Sequence, residues 1–170
     1  PFPYRASEVR IPTPEGHVLA GTLLLPDAVE EPPVVVLITG SGPQDRDETV
    51  MGHKPFLVLA DALARRGIAS LRCDDRGVSQ STGDHGSALT TDFAADVISS
   101  VEWLRKRDDV SRRWIGLIGH SEGGVIASIA ASGDPDIAFA VLMAGAGVDG
   151  GRILTSQTER IMEVAGADRQ

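Results

Sequence analysis

The chain has 170 residues, 42% of them hydrophobic, and its 16 basic and 24 acidic residues give a net charge of −8. This length and apolar content suit a single globular domain with a sizeable core, and they exclude a disordered or fibrous protein. Because nucleic acids and anionic membranes repel a negatively charged chain, neither is expected as a partner, and a small neutral or cationic substrate fits better.

Cysteine content and apolar runs exclude further classes of protein. The single cysteine, Cys73, cannot form an internal disulfide or a cysteine-based zinc cage, and it is expected to be a buried strand residue. No apolar run approaches the length of about 18 residues that a membrane span requires. The chain starts at Pro1 without a signal pattern, so a cytoplasmic and an exported location both stay open.

The first half of the chain predicts a hairpin followed by a strand and a helix. Residues 9–11 and 17–25 flank a proline- and glycine-containing turn, which predicts an antiparallel pair of strands. The β-branched run 34–38 is typical of a strand buried on both faces in a parallel sheet. Pro55 is placed as a first helical residue, and Gly67 supplies the end of that helix.

The second half continues with strands and helices in strict alternation. Strands are predicted at 68–73, 114–118 and 137–144, separated by a helix with an apolar stripe from Phe93 to Leu104 and by a helix after residue 121. This alternation predicts a doubly wound, mostly parallel sheet with helices on both faces. Ligands of such sheets bind beyond the carboxyl ends of the strands.

A G-x-S-x-G sequence lies between a predicted strand and a predicted helix. Its glycines are Gly119 and Gly123, and its serine is Ser121. A serine at a sharp strand-to-helix turn is exposed as a nucleophile, and a Cβ at either glycine would crowd the turn. Ser121 is therefore the candidate nucleophile of a nucleophile elbow, in preference to a plain glycine-rich turn.

Backbone amides near this turn form a candidate oxyanion hole. One donor is expected from Glu122, the residue after the nucleophile, and the second from Ser41, in the glycine-containing loop after strand 34–38. The same loop lacks the glycines and lysine of a nucleotide-binding loop, so no cofactor is expected. Asp45, Asp47 and Glu48 lack the remaining features of a calcium loop, so no metal is expected and a solvated acidic loop is the default.

The base and the acid that would activate Ser121 are not evident. The four histidines are His17, His53, His85 and His120, and none follows Ser121 in the chain. Neighbouring side chains on a sharp turn diverge, so His120 is expected to pack beside the elbow, and His53 is expected in a solvated loop.

Two carboxylate-containing segments are candidates for the acid, and each also has a structural interpretation. Asp149 is a candidate acid, although Asp149-Gly150-Gly151 reads more simply as a turn. Asp74, Asp75 and Arg76 are expected to form an internal pair that fixes their loop.

Three stretches resemble the α/β-hydrolase superfamily, in particular a bacterial esterase branch related to serine aminopeptidases and dienelactone hydrolases. They are residues 38–48, 74–83 and 119–124. The resemblance implies an α/β-hydrolase core at residues 1–150 and the start of a cap, or lid helix, at 151–170. It also implies that Ser121 is the acyl-enzyme nucleophile and that the amides of Ser41 and Glu122 form the oxyanion hole.

The sequence also departs from that family. Ser79 replaces a glycine, and Thr39 stands where many relatives carry histidine. The last two strands of the family fold, with the acid and histidine that follow them, have no counterpart, so the chain is expected to be the N-terminal part of a hydrolase domain. Strand 137–144 would then be an unpaired edge, so a later segment or a second copy of the chain is expected to cover it.

These observations predict a serine hydrolase that cleaves small carboxylic esters, with weak or no turnover by these residues alone. A non-catalytic binding or assembly module with the same fold is the alternative from another class. Peptidase, thioesterase and acyltransferase activities share the same elbow, and the sequence does not choose among them.

Overall fold

The computed structural model describes residues 2–148 and 150–166. Two strands come first, and from residue 34 onward strands and helices alternate as the sequence predicts. They are β1 (Tyr4–Pro12), β2 (Val18–Pro26), β3 (Val34–Ile38), α1 (Pro55–Ala64), β4 (Ala69–Cys73), α2 (Thr90–Arg105), β5 (Ile115–His120), α3 (Glu122–Gly133), β6 (Phe139–Met143) and α4 (Gly150–Val164).

The strands form one mixed sheet in the order β1-β2-β4-β3-β5-β6. The strand β2 pairs antiparallel with β1 and with β4, whereas β4, β3, β5 and β6 are parallel neighbours. The predicted hairpin and doubly wound, mostly parallel sheet are therefore confirmed. Ile38 lies beside Gly119, and Gly119 beside Leu142, so the ends of β3, β5 and β6 meet at one edge of the sheet.

Both faces of the sheet are covered, and β3 contributes to both because its side chains alternate. Val34 and Val36 pack in the core with α2 and α3, whereas Val35 packs on the other face with Phe56 and Ala60 of α1. All five residues of β3 are buried. Because helices cover both faces of the sheet, β3 is apolar at every position.

The strand β6 forms one edge of the sheet, as the sequence predicts. It pairs with β5 on one side, and Phe139, Val141 and Leu142 are 41%, 44% and 47% exposed. In contrast, every residue of β3 in the centre of the sheet is buried. An apolar edge with unpaired backbone groups favours pairing with another segment. Its occupant, a later segment or a second copy, stays a prediction.

The predicted amphipathic helix is present as α4, but it buries none of its side chains. Leu154 and Ile161 are 67% and 68% exposed. The division into a core and the start of a cap stays a prediction. Among the helices of the described residues, none combines the length and the apolar character that crossing a membrane requires.

Candidate active site

Ser121 occupies a strained turn between β5 and α3. Its backbone angles are φ 54° and ψ −116°, a left-handed conformation that residues other than glycine seldom adopt. The N–H of Ser121 donates to the carbonyl oxygen of Met143 at 2.9 Å, and the residue is half-buried. The turn is therefore held by the sheet, while the serine stays accessible.

The two glycines of the G-x-S-x-G sequence allow β3, β5 and α3 to approach one another closely. A Cβ placed on Gly119 would lie 2.0 Å from the carbonyl oxygen of Gly123, and one placed on Gly123 would lie 2.3 Å from that of Ile38. Both distances are far below van der Waals contact. The close approach therefore requires glycine at both positions.

The loop after β3 passes beside the serine. We call residues 39–54 the β3 loop. A Cβ placed on Gly40 would lie 3.4 Å from the Cβ of Ser121, so the two backbones are adjacent. Within the described residues, the N–H groups of Ser41 and Glu122 donate to no protein acceptor. Neither N–H group is therefore already bonded within this part of the chain.

Glu48 connects the β3 loop to the elbow. Its Oε1 accepts the N–H of Gly40 at 2.7 Å and lies 2.8 Å from Nδ1 of His120. The residue is 5% exposed and has φ 52°. Among the described residues, the N–H of Gly40 therefore has a protein acceptor, unlike the N–H of Ser41. Glu48 was expected in a solvated acidic loop, and this expectation was wrong because it is buried.

The other acidic side chains of the β3 loop also have partners in the protein. Asp45 accepts the N–H groups of Asp47 and Thr49, and Asp47 contacts Arg72 and Lys54. Within residues 2–148 and 150–166, no group of acidic, histidine or cysteine side chains has the arrangement of a metal site. Asp45 therefore fixes the backbone of the β3 loop, and Asp47 ties the loop to basic side chains.

Asp75 ties the β3 loop to the end of β4. Its carboxylate accepts the hydroxyl of Thr39 at 2.7 Å and the N–H of Gln44 at 2.9 Å. Burial raises the pKa of the Asp75 carboxyl from 3.8 to about 6, against the opposing effect of the Thr39 hydrogen bond. The carboxylate thus fixes the backbone on both sides of Ser41.

Asp74 and Arg76 do not form the internal pair that the sequence suggested. Asp74 instead accepts a bidentate contact from Arg46, which holds its pKa below the usual range although burial opposes this. Arg76 binds Asp96 of α2 through two hydrogen bonds, and Asp96 also contacts His17 at 2.7 Å. The pairing partners are 28 and 20 positions away, so the short motif alone could not identify them.

The histidines do not complete a catalytic pair with Ser121. His17 contacts Asp96, His120 contacts Glu48, and Nε2 of His85 lies 4.0 Å from Asp75. His53 is exposed in a turn of the β3 loop. Within the described residues, no histidine ring is hydrogen-bonded to the Ser121 hydroxyl. The candidate acid Asp149 lies outside the described residues.

A cavity of about 310 Å³ opens beside these groups. It lies between the sheet, α2 and the start of α3, and Gly40, Gly42 and Glu122 contribute to its rim. Cys73 lines the inner part, and burial raises the pKa of its thiol to about 12. The thiol is therefore protonated at neutral pH and is a poor nucleophile.

The strand order and the elbow define an α/β hydrolase, and the solved structures with this fold agree. The esterase Pf2001 of Pyrococcus furiosus superposes with a TM-score of 0.73 at 19% identity, covering 98% of this chain and 60% of its own. A dienelactone hydrolase of Anabaena variabilis superposes with a TM-score of 0.68 at 23% identity, covering 84% of this chain and 64% of its own. At these identities the similarity concerns the fold.

Residues 15–157 match the model of the X-Pro dipeptidyl-peptidase family S15, and the chain belongs to this family. Esterase EstD of Thermotoga maritima is 33% identical over 108 residues, which are 64% of this chain and 26% of that protein. The chain thus spans about a quarter of this relative and less than two thirds of the two solved structures. Esterase- or hydrolase-type function is supported at the level of the family.

Substitution of Gly123 tests the close packing at the elbow. In the natural full-length protein, Gly123→Ala should lower the free energy of unfolding by about 1–3 kcal/mol, because the new Cβ clashes with the backbone of β3. Gly133→Ala in the same helix is the matched control, since a Cβ there meets nothing within 4 Å. It should raise the free energy of unfolding by up to about 1 kcal/mol. Equal urea midpoints for the two variants would contradict this packing.

The raised pKa of Asp75 predicts a pH dependence of stability. Its folded-state pKa of about 6 exceeds the unfolded value, so folding favours the protonated carboxyl. The cost of burying the charge is absent below about pH 4 and is complete above about pH 6, where it reaches about 3 kcal/mol. Relative to Asp75→Asn, the wild-type protein should therefore lose stability as the pH rises from 4 to 6.

Urea unfolding at several pH values measures this difference. The same comparison in a His85→Gln background is the control. This substitution removes the titratable ring beside Asp75, and the pH dependence of the unfolding free energy that comes from Asp75 should persist. Parallel stability curves for the wild type and Asp75→Asn between pH 4 and pH 6 would show that Asp75 does not titrate there.

Proposed function

We propose that this protein is a serine hydrolase that cleaves carboxylic esters through an acyl-enzyme on Ser121. The observation that carries the proposal is the strained, accessible Ser121 beside two N–H groups without protein acceptors. Backbone strain in a non-glycine residue is seldom retained unless it serves a function. The strain at Ser121 is typical of a nucleophile elbow.

The reaction proceeds in two halves. The Ser121 hydroxyl attacks the ester carbonyl and gives its proton to a histidine base other than the four of this chain. The N–H groups of Ser41 and Glu122 bind the negative oxygen of the tetrahedral intermediate, and each donor contributes about 3 kcal/mol. The alcohol leaves with the proton, and water then releases the acid and restores the serine.

In this proposal Glu48 is a positioning residue. By accepting the N–H of Gly40, it turns this peptide away from the substrate and leaves Ser41 as the donor. By binding His120, it joins the β3 loop to the residue before the nucleophile. Preorganised donors stabilise the transition state because they need no reorientation during the reaction.

Two alternatives have support of different kinds. The S15 family description favours a peptidase that acts on X-Pro peptides, and the elbow serves amide hydrolysis equally well. The ester interpretation draws on the esterase relative. A non-catalytic module of the same fold needs no activated serine, which gives a direct test.

Labelling with a fluorophosphonate distinguishes an activated serine from an inert one. In the natural full-length protein, the probe should modify Ser121 within minutes, and Ser121→Ala should abolish the labelling. Mass spectrometry identifies the modified residue, and ester and X-Pro amide substrates are then compared in the same preparation. If the folded protein is not labelled, the hydrolase proposal is contradicted and the non-catalytic module is supported.

A matched pair of variants in the β3 loop tests the role of Glu48 in the same experiment. Glu48→Ala should slow labelling and lower kcat by about 10–100-fold with little change in KM, because it releases the Gly40 peptide. Glu48→Gln should restore part of this loss, since its amide oxygen still accepts that N–H. Asp45→Ala removes two other hydrogen bonds of the loop and serves as the control. Equal losses in Glu48→Ala and Asp45→Ala would assign Glu48 to loop stability alone.

A further inference from the structure

We propose that the cavity between the sheet and α2 binds the linear apolar acyl chain of the ester. This inference rests on the proposed function and adds to it the class of substrate. Ser121 does not line the cavity, but Gly40 and Glu122, its neighbours in space and in the chain, do. An acyl group attached to Ser121 therefore has a route from the oxyanion hole into the cavity.

The cavity wall has an apolar part. Its side chains come from the sheet, from α2 and from the start of α3. They include Leu19, Val36, Cys73, Phe93, Val97 and Ile126. Transfer of a hydrocarbon chain from water to such a wall is favourable by about 0.8 kcal/mol per methylene group.

Several polar side chains at the cavity have partners within the protein. Asp75 is bonded to Thr39, and Thr90 donates to Glu122 at 2.8 Å. Asp96 is bonded to Arg76 and His17, and Ser100 donates to the backbone of Asp96. His85 packs against Phe93 in a tilted arrangement with ring centroids 5.2 Å apart.

The cavity extends along α2. Its lining residues on this helix run from Thr90 to Ser100, which corresponds to about 15 Å of helix. This length is sufficient for an extended acyl chain.

The test uses alkyl phosphonates and p-nitrophenyl esters of increasing chain length, from acetyl through butyryl and hexanoyl to octanoyl, on the natural full-length protein. Labelling of Ser121 and kcat/KM should both rise from acetyl to hexanoyl. Val97→Leu, which fills the middle of the cavity, should lower kcat/KM for hexanoate by about tenfold and leave acetate within about twofold. Phe93→Ala, which widens the outer half, should shift the preference toward octanoate.

Val101→Leu is the matched control, because Val101 is buried one turn further along the same helix and does not line the cavity. It should leave the order of chain lengths unchanged. If Ser121 reacts with every phosphonate at the same rate in the wild type and both cavity variants, the acyl site is refuted while the hydrolase proposal stands. If no phosphonate labels Ser121, both proposals are refuted.

Discussion

The structure depends on one constraint of packing, the close approach of β3, β5 and α3 around Ser121. Gly119 and Gly123 permit contacts of backbone with backbone that any side chain would prevent. The chain must reverse direction within one residue to enter α3, and Ser121 adopts a left-handed conformation as a result. Because the buried strands around Ser121 hold this turn in place, the serine stays at the edge of the sheet and does not relax into a loop.

The surrounding polar groups extend this constraint from the serine to its neighbours. Glu48, which is buried, and Asp75, which is half-buried, hold the backbone of the β3 loop at Gly40 and Gln44. These bonds leave the N–H of Ser41 without a protein acceptor between two fixed points. A buried carboxylate is costly unless it is hydrogen-bonded. The hydrogen bonds that satisfy these carboxylates therefore also fix the shape of the β3 loop.

Much of the fold was predictable from local patterns. The β-branched run at β3, the apolar stripe of α2 and the glycines around Ser121 each indicate an element and its place, because they reflect burial and turn geometry within a short segment. The position of β6 at the sheet edge was expected from the resemblance, because the last two strands of the family fold have no counterpart in this sequence. The roles of Ser121, Ser41 and Glu122 remain predictions, although the β3 loop passes beside Ser121 at Gly40.

The part that local patterns could not predict consists of contacts between distant segments. Glu48 reads as a solvated acidic residue because its neighbours are acidic, but its burial depends on His120, 72 positions away. Asp74 and Arg76 likewise form ion pairs with residues distant in the chain and not with each other. Ser79 keeps φ 49° where the family resemblance expects glycine, so the backbone shape persists with a different residue.

The central claim is that the backbone N–H groups of Ser41 and Glu122 are already in place to donate to an oxygen of a group bound to Ser121. A crystal structure of the full-length protein with a phosphonate attached to Ser121 tests this most directly. We predict a phosphonyl oxygen about 2.7–3.1 Å from the backbone nitrogens of both Ser41 and Glu122, with the β3 loop unchanged. An adduct whose oxygens point to solvent, or in which the β3 loop has to rearrange to reach them, would contradict the claim.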